Sequence, residues 1–97
     1  MVTVIWIDQA IEDIDYMAEY ISQASMKYAA VTVNKIFQRA EILKTYPKAG
    51  RMVPETNNNS IRELIEGNYR IIYEIISEER IEILTVHHSA RPLNNTL

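Results

Sequence analysis

Residues 61–91 constrain the fold of this chain more than any other segment, because they contain three isoleucine-rich runs separated by turn-forming residues. The first two runs are joined by Gly67-Asn68, a dipeptide typical of two-residue β-hairpin turns. A polar segment at residues 77–80 separates the second run from the third. The pattern therefore predicts three consecutive antiparallel strands, with arginine, tyrosine and histidine side chains set into them.

A two-residue turn at Gly67-Asn68 also predicts which side chains share a face of the hairpin. It places Ile65 opposite Arg70 and Leu64 opposite Ile71, since side chains alternate between the two faces of a strand. The more apolar face then consists of Leu64, Ile71, Tyr73 and Ile75, with Arg62 at its end. The mixed face consists of Ile61, Glu63, Ile65, Arg70, Ile72 and Glu74. We expect helices to cover the apolar face and the mixed face to stay open.

The sequence determines the turn at residues 77–80 less well, because no glycine or proline marks it. A four-residue loop would place His87 opposite Arg70, with Leu84 and Val86 on the apolar face. A loop one residue shorter or longer would bring His88 to the face of Arg70 instead. Both arrangements remain open at this point.

The first half of the chain predicts one strand and a helical hairpin. Residues 2–7 form a β-branched and aromatic run, and Asp8 follows at a good N-cap position. The apolar face of the first helix is predicted from helical spacing at Ile11, Ile14, Ala18 and Ile21. Ser25 is the predicted cap of a second helix that extends to about Thr45. Its apolar stripe consists of Ala29, Val33, Ile36, Ala40 and Leu43.

The predicted order is β-α-α-β-β-β, with a loop at residues 51–60. It indicates an α+β fold, in which a helical hairpin packs on one face of a small, largely antiparallel sheet. With 97 residues, we expect a single domain spanning 1–97. No apolar run approaches the length of about 20 residues needed to span a membrane, and no export signal is visible, so we expect a cytoplasmic protein.

The composition also argues against several classes of function. The net charge of −3 removes the usual electrostatic drive for non-specific nucleic-acid binding. The chain has no cysteine, and its two glycines form no phosphate-binding loop, so we expect no cofactor. His87 and His88 are adjacent and point to opposite faces of a strand, so we expect no metal site either.

Several short motifs, taken in order, resemble the RelE/ParE superfamily of toxins from type II toxin–antitoxin modules. This superfamily includes proteins also called plasmid stabilisation proteins. The motifs are Trp6, Tyr46-Pro47, Gly50-Arg51 with Pro54-Glu55, Ile61-Arg62-Glu63-Leu64, Gly67-Asn68-Tyr69-Arg70-Ile71-Ile72-Tyr73, and Ile83-Leu84-Thr85-Val86-His87-His88-Ser89-Ala90-Arg91. The resemblance implies a toxin partnered by a labile antitoxin, whose C-terminal region wraps the toxin and whose N-terminal part binds operator DNA. The toxin itself would then contact operator DNA only through the antitoxin.

The superfamily divides into two mechanisms. RelE-like members cleave messenger RNA on the ribosome, whereas ParE-like members poison DNA gyrase and are not nucleases. Cleavage through the 2′-hydroxyl needs a base, an acid and a cation for the phosphorane. The resemblance offers Arg70 as the cation, His88 near the position of a C-terminal histidine, and Glu55 as a base. Against cleavage, Ser89-Ala90-Arg91 stands where that branch carries a closing tyrosine, and a lysine-rich surface is missing.

We therefore interpret the chain as closer to ParE, acting through protein binding, with DNA gyrase as its expected target. Its enzymatic activity is left open. The helical hairpin and the mixed face are the expected antitoxin surfaces. The expected binding residues are Arg51, Arg62, Arg70, His87 and Arg91. The alternatives are a ribosome-dependent messenger RNA endonuclease and a non-toxic binding or regulatory partner.

Each arginine also has a structural interpretation. Arg62 and Arg70 are able to pair with Glu63, Glu66 or Glu74 across strands, and Arg51 is able to hold the loop to the sheet. If Arg70 lies on an open face, Arg70→Ala weakens toxicity and leaves the fold intact.

Overall fold

The computed structural model describes residues 1–89, in which two helices lie across one face of a five-stranded sheet. In chain order the elements are β1 (Thr3–Trp6), α1 (Asp8–Ser22), α2 (Met26–Glu41), a short 3₁₀ helix (Ile42–Lys44), β2 (Arg51–Met52), β3 (Ile61–Glu66), β4 (Tyr69–Ser77) and β5 (Arg80–His88). The strand order is β1-β5-β4-β3-β2; β1 runs parallel to β5, and the other neighbours are antiparallel. The predicted α+β fold is confirmed, and the structure adds β2 within the predicted loop. Within residues 1–89, no helix is long and apolar enough to cross a bilayer.

The β3–β4 hairpin has the predicted register. Gly67 has φ +58°, a left-handed conformation that glycine adopts without steric cost. Ile65 lies opposite Arg70 and Leu64 opposite Ile71, as expected. Leu64, Ile71 and Tyr73 are buried in the main core beneath the helices, so the assignment of the apolar face is confirmed.

The β4–β5 turn is shorter than the four-residue loop considered from the sequence. Ser77 pairs with Arg80, which leaves a two-residue turn. Two β-bulges follow, with Ile76 as the extra residue on β4 and Leu84 as the extra residue on β5. Because the two bulges cancel, His87 still lies opposite Arg70.

The bulge at Leu84 also changes which side chains enter the core. The prediction that Leu84 joins the core face is wrong, because the extra residue interrupts the alternation of β5. Ile81, Ile83 and Val86 belong to the main core instead.

The helices keep their predicted number and spacing but differ in detail. Ser25 caps α2 as predicted, since its hydroxyl accepts a hydrogen bond from the Tyr28 amide at 3.0 Å. Asp8 is the first helical residue, and Ile7 occupies the N-cap position, so the predicted Asp8 cap is wrong. The buried residues of α2 and the 3₁₀ helix include most of the predicted stripe: Ala29, Ile36, Ala40 and Leu43.

The apolar face of α1 is rotated by one position from the prediction. The buried residues are Ala10, Ile14 and Met17, and Ile11 is 39% exposed. Both stripes have helical spacing and share Ile14, so periodicity alone does not distinguish them. The packing of α1 against α2 and β5 decides the difference.

A single carboxylate attaches α1 to the sheet. Asp13 accepts hydrogen bonds from the Thr85 hydroxyl and from the Val86 amide, the latter at 3.1 Å. Thr85 follows the bulged residue of β5 and is 1% exposed. Asp13 thus satisfies polar groups at the bulge that would otherwise be buried without partners. The sequence gives no signal of this contact, because its residues are 72 positions apart.

Candidate functional site

Four side chains on the mixed face form a row of alternating charges, which we call the charge row: Arg51, Glu63, Arg70 and Glu55. Arg51 Nε lies 2.5 Å from Glu63 Oε2, and Arg70 Nε lies 2.6 Å from Glu63 Oε1. At its other edge, Arg70 donates from Nη1 and Nη2 to the two oxygens of Glu55, each at 2.9 Å. The guanidinium of Arg70 is therefore held between two carboxylates.

The two inner members of the charge row are buried and the two outer members are exposed. Glu63 is 1% exposed and Arg70 is 8% exposed. The side chains of Arg51 and Glu55 are 66% and 44% exposed. A buried ion needs partners for its charge and its hydrogen-bonding groups, and removing one partner is costly. Glu63 and Arg70 thus depend on each other, whereas Arg51 and Glu55 also contact water.

The segment between β2 and β3 covers the inner pair of the charge row. Val53 and Ile72 are fully buried against each other with Ile61 beside them, which forms a second small core on the mixed face. Turn bonds shape the segment: Thr56 N donates to the Val53 carbonyl, and Ser60 N donates to Asn58 Oδ1 at 2.8 Å. The expectation of an open mixed face is wrong at Glu63, Arg70 and Ile72, because these apolar contacts draw the segment over this part of the sheet.

The ion pair shifts the acid–base properties of its members. Hydrogen bonds from Arg70 lower the pKa of Glu55 to about 2. The same contacts to Glu55, followed by those to Glu63, raise the pKa of Arg70. Glu55 is therefore an ionised carboxylate at neutral pH and a poor proton acceptor.

Arg62 lies on the other side of β3 and bonds to backbone. Its Nη1 donates to the Gly50 carbonyl at 3.0 Å and its Nε to the Asn59 carbonyl at 3.2 Å. The Tyr73 hydroxyl holds the same segment, accepting from Gly50 N and donating to the Pro47 carbonyl. Of the cross-strand pairs considered from the sequence, the pair of Arg70 with Glu63 is confirmed. Arg62 donates to backbone carbonyls instead of a glutamate. Arg91 lies outside the described residues.

The two histidines lie on opposite faces of β5. His87 is half-buried opposite Arg70, on the side of the charge row. His88 is exposed opposite Tyr69 and packs edge-on against its ring, with centroids 5.4 Å apart, on the side of the helices. The structure thus brings Arg70 and Glu55 together but does not bring His88 to them. Within residues 1–89, no group of three His, Asp or Glu side chains is placed to hold a metal.

Comparison with known proteins identifies the family. The family described as the ParE toxin of the type II toxin–antitoxin system, parDE, matches residues 4–93. The chain belongs to the ParE toxin family. Toxin RelE2 of Caulobacter vibrioides is 28% identical to this toxin over 91 residues, which cover 94% of this chain and 99% of the relative.

Two solved structures share the fold of this toxin. The first comes from the chromosomal ParDE toxin–antitoxin system of P. aeruginosa, with a TM-score of 0.74, 20% identity, and coverage of 91% of this chain and 96% of that chain. The second comes from the RelBE2 toxin–antitoxin complex of Mycobacterium tuberculosis, with a TM-score of 0.56, 20% identity, and coverage of 90% and 96%. Because the family match covers residues 4–93, the resemblance to the RelE/ParE superfamily is confirmed, and the chain is a toxin of the type II toxin–antitoxin class.

Proposed function

We propose that this toxin inhibits growth by binding DNA gyrase, and that a cognate antitoxin neutralises it by binding the toxin directly. The observation that carries the proposal is that Arg70 of the charge row is held between the carboxylates of Glu63 and Glu55. The central guanidinium, on Arg70, is the cation that the resemblance offers for a scissile phosphate, and it is already bound on both edges by carboxylates.

Arg70 is poorly placed to stabilise a phosphorane. A cation that does so must direct its N–H groups at the developing charge. Here Nε points at Glu63, and Nη1 and Nη2 point at Glu55. Turning the guanidinium toward a phosphate would also remove a partner from Glu63, which is 1% exposed.

The proton-transfer groups of a nuclease are also not assembled. Glu55 has a pKa of about 2, which makes it a weak base at neutral pH. His88 lies on the helix side of the sheet, away from the charge row. These features favour a toxin that acts through protein binding over one that cleaves RNA.

Arg51 is the charge-row cation best placed to meet an antitoxin. Its side chain is 66% exposed, and Ile65, on the same face of the sheet, is 44% exposed. An exposed guanidinium beside an apolar side chain suits an antitoxin segment that carries carboxylates and an apolar residue. We propose that the antitoxin contacts the mixed face here.

One observation favours the alternative of ribosome-dependent messenger RNA cleavage, namely that the relative from C. vibrioides is named toxin RelE2. Two measurements separate the mechanisms. The first incubates the purified toxin with gyrase and supercoiled plasmid and measures linear DNA after protein removal. The second induces the toxin alone in cells and maps transcript ends.

A gyrase poison gives linear DNA that requires gyrase, together with intact transcripts and an SOS response. Addition of the cognate antitoxin abolishes the linear DNA. Codon-phased transcript cuts without DNA breaks would overturn the proposal in favour of the endonuclease. Normal growth on induction would instead indicate a non-toxic binding partner.

A further inference from the structure

A groove of about 730 Å³ runs along α1 on the helix side of the sheet, between this helix and the ends of β4 and β5. We call it the α1 groove. Its lining includes Glu12, Asp13, Tyr16, Tyr20, Tyr69 and His88. It is separate from the charge row, which lies on the opposite face.

The α1 groove exposes several aromatic side chains. Tyr16 and Tyr20 lie one helical turn apart, and each is 70% exposed. Tyr69 lies half-buried against His88, whereas Tyr28 on α2, which is 62% exposed, lies outside the groove lining. Burial raises the pKa of Tyr69, with smaller contributions from the neighbouring Tyr28 and Tyr20. Tyrosine is enriched among the residues that dominate binding energy at protein interfaces, because it offers apolar area and a hydroxyl at low entropic cost.

The helix that forms one wall of the groove is strongly acidic. Residues 8–22 contain five Asp and Glu and no Lys or Arg, so α1 contributes −5 to a net charge of −3. The rest of the chain therefore sums to +2. Among the residues that line the groove, Glu12 and Asp13 are acidic and none is Lys or Arg. The groove therefore attracts cations, whereas Arg51 on the opposite face suits carboxylates.

We propose that the α1 groove is a docking site for a basic segment of a partner protein. Arginine or lysine side chains of that segment lie over the faces of Tyr16 and Tyr20 and near the carboxylate of Glu12. An apolar side chain of the segment packs against Val86 and Met17 at the groove floor. The stretch from Gln9 to Tyr20 is about 16 Å long at the rise of an α-helix, which matches a short peptide segment. The inference holds whichever cellular target the toxin has.

The test uses the full chain and a fluorescein-labelled peptide of about 11 residues, built from alanine, leucine and arginine with the arginines four positions apart. A peptide with glutamate in place of arginine is the charge-reversed probe. Fluorescence anisotropy measures the dissociation constant of each peptide at low and at physiological salt. Circular dichroism melts confirm that every variant is folded.

We expect the arginine peptide to bind and the glutamate peptide not to bind. The double variant Tyr16→Ala/Tyr20→Ala weakens binding by about tenfold or more. Glu12→Gln weakens it by about threefold at low salt and less at physiological salt, where exposed charges are screened. Tyr46→Ala is the matched control, because this tyrosine is 66% exposed and lies outside the groove, and it leaves binding unchanged.

Three results would overturn the proposal. They are equal binding of the two peptides, no binding of the arginine peptide, and binding that the tyrosine double variant does not weaken.

A further overturning result concerns the chain itself, since residues 90–97 follow β5 in the sequence and carry one arginine, Arg91. If Arg91→Ala tightens binding of the arginine peptide, this segment competes for the groove, and the assignment to a partner protein is wrong.

Discussion

At the scale of single residues, the charge row depends on an unequal division between buried and exposed ions. Glu63 and Arg70 are almost fully buried, whereas Arg51 and Glu55 reach water. Two arginines and two glutamates make the row neutral, so no net charge is buried with it. Loss of an inner member leaves a buried ion with fewer partners, while loss of an outer member leaves an ion that water is able to solvate.

Arg70→Ala therefore destabilises the fold, contrary to the expectation from an open face. We expect a loss of about 3–5 kcal/mol in the free energy of unfolding, because within residues 1–89 Glu63 then keeps only Arg51 as an ionic partner. Arg51→Ala is the matched control and costs about 1 kcal/mol or less, since the Arg51 side chain is largely exposed. Urea denaturation measures both. Equal midpoints for Arg70→Ala and the parent would show that the inner pair is dispensable.

Glu55 makes the stability of the toxin depend on pH. Its pKa is about 2 in the folded state against an ordinary value of 4.5, so its contribution is present above pH 4.5 and is lost as the pH falls toward 2. We expect the difference in unfolding free energy between the parent and Glu55→Gln to be largest above pH 4.5 and to shrink below it. Denaturant titrations across this range measure the difference. A difference that stays constant with pH would exclude the ion pair as its source.

At the scale of elements, one helix is tied to one strand by a carboxylate at a β-bulge. The extra residue Leu84 disturbs the hydrogen bonding of β5, and Asp13 of α1 accepts from the two residues that follow it. A bulge leaves backbone groups that need partners from outside the ladder. The same contact therefore positions α1 and completes the strand.

Asp13→Ala should loosen α1 from β5. We expect a cost of about 1–3 kcal/mol, because the Thr85 hydroxyl is left buried without this acceptor. Asp15→Ala on the exposed side of α1 is the matched control, with a change within about 0.5 kcal/mol. Hydrogen exchange should report faster exchange of the Val86 amide in Asp13→Ala alone. If the two variants behave alike, the contact to the bulge does not stabilise the element pair.

At the scale of the whole molecule, the sheet separates two surfaces of opposite character. The helix side carries the acidic, tyrosine-rich α1 groove, and the other side carries the charge row with the exposed Arg51. On the two proposals made above, a basic segment would meet the helix side and a carboxylate-bearing segment would meet Arg51 on the other side. This arrangement suits a protein that is bound by more than one other protein.

The double variant Glu63→Leu/Arg70→Met tests in living cells whether the charge row serves only the fold or also supplies a catalytic guanidinium. It replaces a buried ion pair by apolar side chains, which is often neutral or stabilising. If the toxin acts by protein binding, the variant retains growth inhibition on induction. A nuclease that relies on the guanidinium of Arg70 would lose about a hundredfold or more of its cleavage rate, and the variant would then be non-toxic. Colony counts after induction, with immunoblots for equal expression, measure the outcome.

Short-range information in the sequence determined much of this protein. The Gly67-Asn68 turn and the alternation along β3 and β4 predict the hairpin register, because turn geometry and side-chain period act over neighbouring residues. Helical spacing predicts α2 and its cap at Ser25 for the same reason. The ordered motifs place the chain in its superfamily, and the family match agrees.

Only the tertiary structure decided the rest. The sequence placed Arg70 on the correct face. The burial of Arg70 beneath residues 53–60, however, depends on the contact of Val53 with Ile72, which is distant in the chain. The sequence offered Arg70, Glu55 and His88 as one constellation, yet strand alternation and the two bulges place His88 on the opposite face. The groove lined by Tyr16 and Tyr20 exists only because α1 lies beside the ends of β4 and β5. Contacts between distant segments depend on how whole elements dock, and local sequence patterns do not determine that docking.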